Sequence, residues 1–195
     1  MTLPDDYFED VYRANADPWQ FETSAYEAAK YERTLAALPR AHYGRGLEVG
    51  CSIGVLTSRL AGRVEQLLSL DVNDRALSAA RARNAAHPHV RFERRRLPGG
   101  LPPESFDLIV LSEVLYYLSP EDQQRALDEV LARLAPGGTV ILVHWTPPVH
   151  DYPQTGDQVH EAALLRFGQT LKYLHGERHG DGRQGYRLDV WVEPS

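Results

Sequence analysis

The fold is decided by residues 47–54, Leu47-Glu48-Val49-Gly50-Cys51-Ser52-Ile53-Gly54. The apolar start of this stretch predicts a short β-strand, and its two glycines predict a tight turn that leads into a helix. Asp71 follows seventeen positions after Gly54, at the end of a second apolar run. Glycines let the backbone approach a ligand closely, and a carboxylate at the end of the second strand can accept hydrogen bonds from both ribose hydroxyls. The spacing is therefore typical of a site for an adenosine nucleoside.

The composition limits the class of protein. The chain has 195 residues, enough for one compact α/β domain, and a formal net charge of −6. This negative charge, without a long basic run, disfavours nucleic acid as a partner. The single cysteine excludes an internal disulfide and a thiolate metal site, and the acidic start disfavours a signal peptide. The low cysteine content fits a reducing, cytoplasmic setting. No apolar run approaches the length of a membrane span, so no membrane partner is expected.

The start of the chain is predicted to be helical. We expect residues 1–40 to form a helical arm or lid ahead of one ligand-binding domain, residues 41–195. Ser24 and Glu27 have the spacing of a capping box, in which each side chain bonds to the other residue's backbone. Together with apolar residues at helical spacing, this predicts a helix over residues 26–38.

Beyond the arm, strand and helix patterns alternate. Further strands are predicted at residues 64–72, 90–95, 106–112 and 139–145. Helices are predicted at residues 74–86, 120–134 and 158–167. Such alternation implies a parallel sheet, and two β runs at 171–179 and 186–192 around a glycine-rich turn predict a terminal hairpin. We therefore predict an α/β fold with a doubly wound, mostly parallel seven-stranded sheet, helices on both faces and a C-terminal antiparallel hairpin.

The glycine spacing separates two classes of nucleoside-binding protein. Dinucleotide dehydrogenases use the pattern Gly-x-Gly-x-x-Gly to approach a pyrophosphate, and they build a second nucleotide-binding half. Here three residues separate Gly50 from Gly54, and the chain ends in a predicted hairpin. Both features favour a class I S-adenosylmethionine-dependent methyltransferase, whose ligand has no phosphate, over a NAD-dependent enzyme.

Three motifs resemble the NodS-like methyltransferases, a family named after the rhizobial nodulation protein S. They are residues 48–54, residues 111–118 (Leu-Ser-Glu-Val-Leu-Tyr-Tyr-Leu) and residues 150–160 (His-Asp-Tyr-Pro-Gln-Thr-Gly-Asp-Gln-Val-His). The N-terminal segment is similar too, so the resemblance extends to about Phe167. It implies a Rossmann-like methyltransferase fold, S-adenosylmethionine as the cofactor, and N-methylation of an amine of an amino sugar or chitooligosaccharide-like small molecule.

The resemblance and the strand ends indicate a set of cofactor-binding residues. Asp71 is expected to bind the ribose, while Gly50 and Gly54 line the methionine and ribose. Glu48 is expected to accept hydrogen bonds from turn amides or from the ligand's ammonium group, because a buried carboxylate needs partners. The full predicted set is Trp19, Tyr26, Glu48, Gly50, Cys51, Ser52, Gly54, Asp71, Val72, Arg96, Leu97, Ser112, Glu113 and Tyr117.

A second set is expected to handle the methyl acceptor. An amine must be neutral to attack, so a side chain near the reacting centre should accept its proton. Glu113, His144 and His160 are the predicted proton acceptors, in that order, and Lys30 is expected to contact the ligand carboxylate or substrate hydroxyls. The polar loop after the fifth strand is expected to form a substrate lid rather than a metal site or a plain connection. The predicted substrate-binding residues are Trp145, His150, Asp151, Tyr152 and Asp157, and no metal ligands are expected.

Two other functions stay open at this point. One is O-methylation of a small hydroxyl or carboxylate acceptor. The other is a non-catalytic sensor that binds S-adenosylmethionine without turning it over. The expected partner is in each case a small molecule, and the sequence leaves the acceptor and the oligomeric state open.

Overall fold

The computed structural model describes residues 1–180 and 184–194. Two helices come first, α1 (Asp5–Ala14) and α2 (Ala25–Ala36). The elements that follow are β1 (Tyr43–Val49), α3 (Val55–Leu60), β2 (Val64–Asp71), α4 (Asp74–Arg83), β3 (Val90–Arg94), β4 (Phe106–Ser112), α5 (Pro120–Arg133), β5 (Leu134–Trp145), α6 (Gly156–Phe167), β6 (Lys172–His179) and β7 (Tyr186–Val192). A short 3-10 turn, Leu115–Tyr117, follows β4. Within the described ranges, no helix combines the length and the apolar character that a bilayer crossing needs.

The strands form one seven-stranded sheet in the order β3-β2-β1-β4-β5-β7-β6. The first five strands run parallel to one another, and β7 runs antiparallel between β5 and β6. This confirms the predicted fold and its terminal hairpin, although residues 181–183 of the predicted turn lie outside the described residues. β5 begins at Leu134, earlier than the predicted start at Thr139, because Leu134 pairs with Phe106 at the start of β4.

Helices cover both faces of the sheet, as predicted. Alternate residues of β4 show this, because successive strand side chains point to opposite faces. Ile109 and Leu111 pack into one core with side chains of α5 and α6. Leu108 and Val110 pack into the other core with side chains of α2 and α3. All four side chains are fully buried, which explains the continuous apolar run at residues 108–111 of β4.

The start of α2 differs from the predicted capping box. The Ser24 hydroxyl accepts the backbone N–H of Glu27 at 3.3 Å, so half of the motif forms. The Glu27 carboxylate does not return to Ser24 but binds Lys30 at 2.9 Å. The prediction of a reciprocal bond is wrong because a buried ammonium is a stronger partner for a carboxylate than a neutral amide.

Helix α1 lies across the carboxyl edge of the parallel strands. The backbone N–H of Leu3 donates to the carbonyl of Tyr117 at 2.9 Å, and the Phe8 ring packs edge-on against the Tyr117 ring. The hydroxyls of Tyr12 and Ser52 are 2.5 Å apart. These contacts place α1 over the turns that follow β1 and β4. The division of the chain at residue 40 stays a prediction, since α2 packs into one of the two sheet cores.

Candidate active site

A cavity of about 380 Å³ opens at the carboxyl ends of the parallel strands, beneath α1. This is the edge at which open α/β sheets bind ligands. Its wall brings together many of the residues predicted from sequence. Those on the wall are Trp19, Tyr26, Gly50, Ser52, Asp71, Val72, Arg96, Leu97, Glu113, Tyr117, Trp145 and Tyr152.

The turn after β1 forms the floor of the cavity. Gly50 has φ +80° and Ser52 has φ +50°, so the backbone takes a left-handed path that glycine adopts without strain. The backbone N–H of Gly50 donates to the Leu70 carbonyl at 2.8 Å, which ties this turn to the end of β2. A Cβ atom on Gly50 would lie 3.3 Å from the Cβ of Val114. The turn therefore lies close to the segment after β4.

Asp71 lies beside this floor, and each of its carboxylate oxygens accepts a backbone hydrogen bond. Oδ2 accepts the backbone N–H of Ser52 at 2.8 Å, and Oδ1 accepts that of Asn73 at 2.9 Å. Burial raises the pKa of Asp71, and the backbone donors oppose that rise. Each oxygen keeps a further lone pair for a hydroxyl donor. The geometry suits a ribose, and the role of Asp71 stays a prediction.

Glu48 is turned away from the cavity. Its side chain is 1% exposed and accepts the hydroxyls of Thr57 at 2.6 Å and Ser69 at 2.7 Å. Burial raises the pKa of Glu48 to about 7, against the effect of these two hydrogen bonds. The expected bonds to turn amides or to the ligand are wrong, because two buried hydroxyls occupy the carboxylate and link β1 to α3 and β2.

Two further residues of the β1 turn face α4 and not the cavity. Gly54 has φ +78°, and a Cβ there would lie 2.7 Å from Nδ2 of Asn84 and 2.9 Å from Cα of Ala80. Cys51 is buried beside Leu77 and Ala80, and burial raises the pKa of its thiol. This side of the turn packs α4 closely against the sheet, and the prediction that the two residues contact the ligand stays a prediction.

Ser112, also predicted to bind the cofactor, is the last residue of β4 and lies behind the cavity wall. A Cβ on Gly50 would lie 3.4 Å from the Ser112 carbonyl, so this residue backs the glycine turn. Its side chain is buried. The following residue, Glu113, reaches the cavity instead, because its φ of +55° turns the chain away from the strand.

Glu113 belongs to an ion cluster in the cavity wall, formed with Glu27 and Lys30 of α2. Lys30 Nζ lies 2.5 Å from Glu113 Oε1 and 2.9 Å from each oxygen of Glu27. Glu113 Oε2 also accepts the hydroxyl of Tyr116 at 2.6 Å and the backbone N–H of Trp145 at 2.9 Å. Burial would lower the pKa of Lys30, but the two carboxylates outweigh it and raise this pKa. Two carboxylates and one ammonium leave the cluster with one net negative charge.

The predicted proton acceptors His144 and His160 lie in the core behind this wall. Both side chains are fully buried. Nε2 of His144 accepts the backbone N–H of Leu115 at 3.2 Å, so the His144 proton is on Nδ1 and points to Nε2 of His160 at 3.1 Å. Nδ1 of His160 then donates to Asp189 at 2.5 Å.

This chain of hydrogen bonds occupies all four ring nitrogens. Burial lowers the pKa of His144 and of His160, which keeps both imidazoles neutral near neutral pH. A proton added to His160 would face the Nδ1–H of His144 and break the chain. Their prediction as proton acceptors is wrong, because both are buried and engaged, and they hold the 3-10 turn after Glu113.

The residues of the predicted substrate lid do not all lie at the cavity. Tyr152 reaches the cavity wall, where its ring stacks on Tyr116 with centroids 5.1 Å apart. His150 and Asp151 form an ion pair with each other at the exposed surface. Asp157 binds Arg178 at 2.5 Å. None of the last three lines the cavity: His150 and Asp151 are exposed on the loop, and Asp157 is on α6, where it faces Arg178 of β6.

Several wall residues were not in the predicted sets. They are contributed chiefly by α1, α2 and the segment between them, and they include Leu3, Phe8, Tyr12, Gln20, Phe21 and Glu27. Lys30, a predicted ligand contact, lies on the wall as well. Lys30 meets two carboxylates instead of the expected ligand carboxylate or hydroxyls. The one sequence feature that could have indicated the Glu27–Lys30 pair is its i, i+3 spacing on one side of a helix. This spacing is also common on solvated helices, so it does not identify a site.

Comparisons with known proteins agree with this architecture. The family model for nodulation protein S (NodS) matches residues 8–147. Nodulation protein S of Bradyrhizobium diazoefficiens is 35% identical over 127 residues, which cover 64% of this chain and 61% of that protein. Nodulation protein S of Sinorhizobium fredii is 32% identical over 130 residues, or 66% of this chain and 60% of that protein. The chain thus spans about three-fifths of the length of these curated relatives.

Solved structures share the fold. N-methyltransferase NodS from Bradyrhizobium japonicum, in complex with S-adenosyl-L-homocysteine, matches with a TM-score of 0.84 at 24% identity, covering 96% of this chain and 98% of that chain. A proposed methyltransferase from Pseudomonas syringae matches with a TM-score of 0.74 at 36% identity, covering 87% and 100% of the two chains. Since the family model matches well over half of the sequence, the chain belongs to the nodulation protein S (NodS) family.

Proposed function

We propose that the protein transfers a methyl group from S-adenosylmethionine to the nitrogen of a small amine or amino sugar. Family membership supports the cofactor, and the related structure described as an N-methyltransferase supports nitrogen as the acceptor atom. The cavity supports the cofactor and the acceptor atom alike. Its floor suits a nucleoside, and its wall carries charged side chains that can bind an amine.

The residues of the floor fit the cofactor. The Gly50 turn leaves the backbone open to a ligand, and Asp71 has lone pairs left for the ribose hydroxyls. Arg96 and Leu97 line the wall after β3, where they would hold the adenine. When bound, S-adenosylmethionine supplies an electrophilic methyl group on a sulfonium. The task of the protein is to align the acceptor with that methyl group and to exclude water, which can supply about 7–11 kcal/mol of the barrier reduction.

The net negative charge of the Glu27–Lys30–Glu113 cluster is the observation that favours nitrogen over oxygen as the methyl acceptor. Opposite charges attract strongly where water is excluded. An amine arrives mostly as an ammonium ion, which this wall attracts. A carboxylate acceptor would be repelled, and a neutral hydroxyl would gain nothing from the charge.

A matched pair of acceptors tests the proposal. The protein is incubated with methyl-labelled S-adenosylmethionine and either the glucosamine tetramer or the N-acetylglucosamine tetramer, which share their hydroxyls but differ in the free amines. We expect label on the glucosamine tetramer alone. Label on both would indicate O-methylation. Calorimetric binding of S-adenosylhomocysteine without transfer to either acceptor would favour the sensor function and contradict the proposal.

A further inference from the structure

Glu27 is a buried carboxylate on the cavity wall, and only one of its oxygens accepts a hydrogen bond. It is 8% exposed, and Lys30 makes its hydrogen bond to Oε1. Among residues 1–180 and 184–194, Glu27 Oε2 accepts no hydrogen bond, although Lys30 Nζ lies 2.9 Å away as an ion-pair contact. The hydroxyl of Tyr26 beside it has no hydrogen-bond partner among these residues either. Both residues line the cavity. A buried polar atom without a partner is costly, so two such atoms on one wall indicate a place for a polar ligand group.

The two other mostly buried carboxylates on the wall, Glu113 and Asp71, already have hydrogen-bond partners. Asp5 also lines the cavity, but its side chain is 36% exposed and lies 3.6 Å from Arg96. Glu113 accepts hydrogen bonds from Lys30, Tyr116 and the backbone of Trp145. A proton on Glu113 would displace at least one of these donors. Asp71 is held by two backbone N–H groups at the nucleoside end of the site. A proton on Glu27 Oε2 would break none of the hydrogen bonds that the structure shows, although it would weaken the ion pair of this oxygen with Lys30.

We infer that Glu27 is the catalytic residue that accepts the proton of the amine, and that Lys30 is a positioning residue that holds Glu27 against Glu113. The inference rests on the proposed N-methyltransferase function. The ammonium group passes one proton to Glu27 Oε2, which frees the nitrogen lone pair. That lone pair forms the N–C bond, and the electron pair of the broken C–S bond stays on sulfur. The methylated product leaves as an ammonium ion, and Glu27 releases its proton to solvent when the site opens.

The charges around Glu27 suit this role. Burial raises the pKa of Glu27, while Lys30 opposes the rise and Glu113 and Asp17 add to it. Lys30 lies on the same helix, Asp17 in the preceding segment and Glu113 after β4. A carboxylate with a raised pKa is a better proton acceptor than one in water. Proton uptake also leaves the remaining pair, Lys30 and Glu113, electrically balanced.

Glu27→Gln tests the inference, with Glu32→Gln as the matched control. Glu32 lies on the same helix with its side chain 75% exposed, outside the cluster. With the glucosamine tetramer as acceptor, we expect Glu27→Gln to lower kcat by about 100-fold or more, the usual contribution of a general base. Binding of S-adenosylhomocysteine should be unchanged, and the remaining activity should rise with pH as solvent deprotonates the amine. Glu32→Gln should match the wild type.

A second readout does not depend on turnover. In the complex with S-adenosylhomocysteine, the carboxyl carbon signal of Glu27 is assigned by its loss in Glu27→Gln and is followed by NMR. We expect this signal to shift when the glucosamine tetramer is added but not when the N-acetylated tetramer is added. If Glu27→Gln does not fold, Glu27→Asp replaces it, and we expect a lowered kcat with the wild-type pH profile.

The outcomes separate the inference from the function on which it rests. Wild-type transfer to the amine with unchanged kcat and pH profile in Glu27→Gln would overturn the role of Glu27 alone. An unshifted Glu27 signal with bound amine would do the same. No transfer to the amine by the wild type would contradict the proposed function, and the inference with it.

Discussion

At the scale of single residues, the neighbours of a carboxylate decide its task. Glu48 and Asp71 end adjacent parallel strands, and both are buried. Asp71 is held by backbone N–H groups at the cavity floor, whereas Glu48 is enclosed by two hydroxyls on the other side of its strand. One residue therefore faces the ligand space and the other stabilises the junction of three elements.

Asp71→Asn is expected to weaken binding of S-adenosylhomocysteine by about 10- to 100-fold, which corresponds to roughly 1.5–3 kcal/mol for a hydrogen bond to a charged group. The amide keeps the shape but replaces one acceptor with a donor that faces a backbone N–H. Calorimetry measures the affinity, and circular dichroism checks the fold. The control is Asp74→Asn, at the exposed start of α4 beside Arg94, which should bind as the wild type does. Unchanged affinity in a folded Asp71→Asn protein would remove Asp71 from the site.

At the scale of elements, the site depends on tight turns that packing holds in place. The turn after β1 is fixed against α4 by Gly54, where no side chain fits. The 3-10 turn after β4 is fixed from behind by His144, so that Glu113 and Tyr116 meet over the cavity. The two turns come from different strands but approach each other at Gly50 and Val114.

Gly54→Ala is expected to destabilise the protein by about 2–5 kcal/mol. A left-handed conformation costs a non-glycine residue about 1–2 kcal/mol, and overpacking adds roughly 1–3 kcal/mol, because the new methyl group would meet Ala80 and Asn84. Urea denaturation measures the free energy of unfolding. Gly62→Ala is the control, since its Cβ would meet only the Arg59 carbonyl, at 3.9 Å. Equal stability of the two variants would show that α4 can move away from the turn.

At the scale of the whole molecule, buried titratable groups on the two sides of the sheet make stability depend on pH in opposite directions. Burial lowers the pKa of His144 and His160 in the folded state. The unfolded chain therefore binds more protons below about pH 6.5, and these histidines lower the stability as the pH falls. Glu48 has a folded pKa raised to about 7. Its contribution is complete below its ordinary pKa and is lost as the pH rises through 7.

Glu48→Gln isolates the second of these effects. Glutamine can keep hydrogen bonds to Thr57 and Ser69 but does not titrate. We expect the variant to gain stability over the wild type between about pH 5 and pH 8, by roughly 3 kcal/mol, since one pKa unit corresponds to about 1.4 kcal/mol. Urea denaturation across this range measures the difference. A difference that stays constant with pH would mean that Glu48 keeps an ordinary pKa in the folded protein.

The sequence by itself determined the sheet, the terminal hairpin and the position of the cavity. Alternating apolar runs, glycines and prolines act over a few residues, and the right-handed crossover rule leaves few topologies for such a pattern. The strand ends then had to meet at one edge, so Gly50, Asp71 and Glu113 could be placed on one wall. These predictions needed only local patterns and their order along the chain.

Only the tertiary structure decided which side each of these residues faces. Gly54, Cys51 and Glu48 are close in sequence to the cavity floor but pack against neighbouring elements. Glu27 and Glu113 share one ammonium although they are far apart in the chain. The physical reason is that burial and hydrogen bonding act through space. A local pattern can show that a polar group needs a partner, but the packed fold selects that partner.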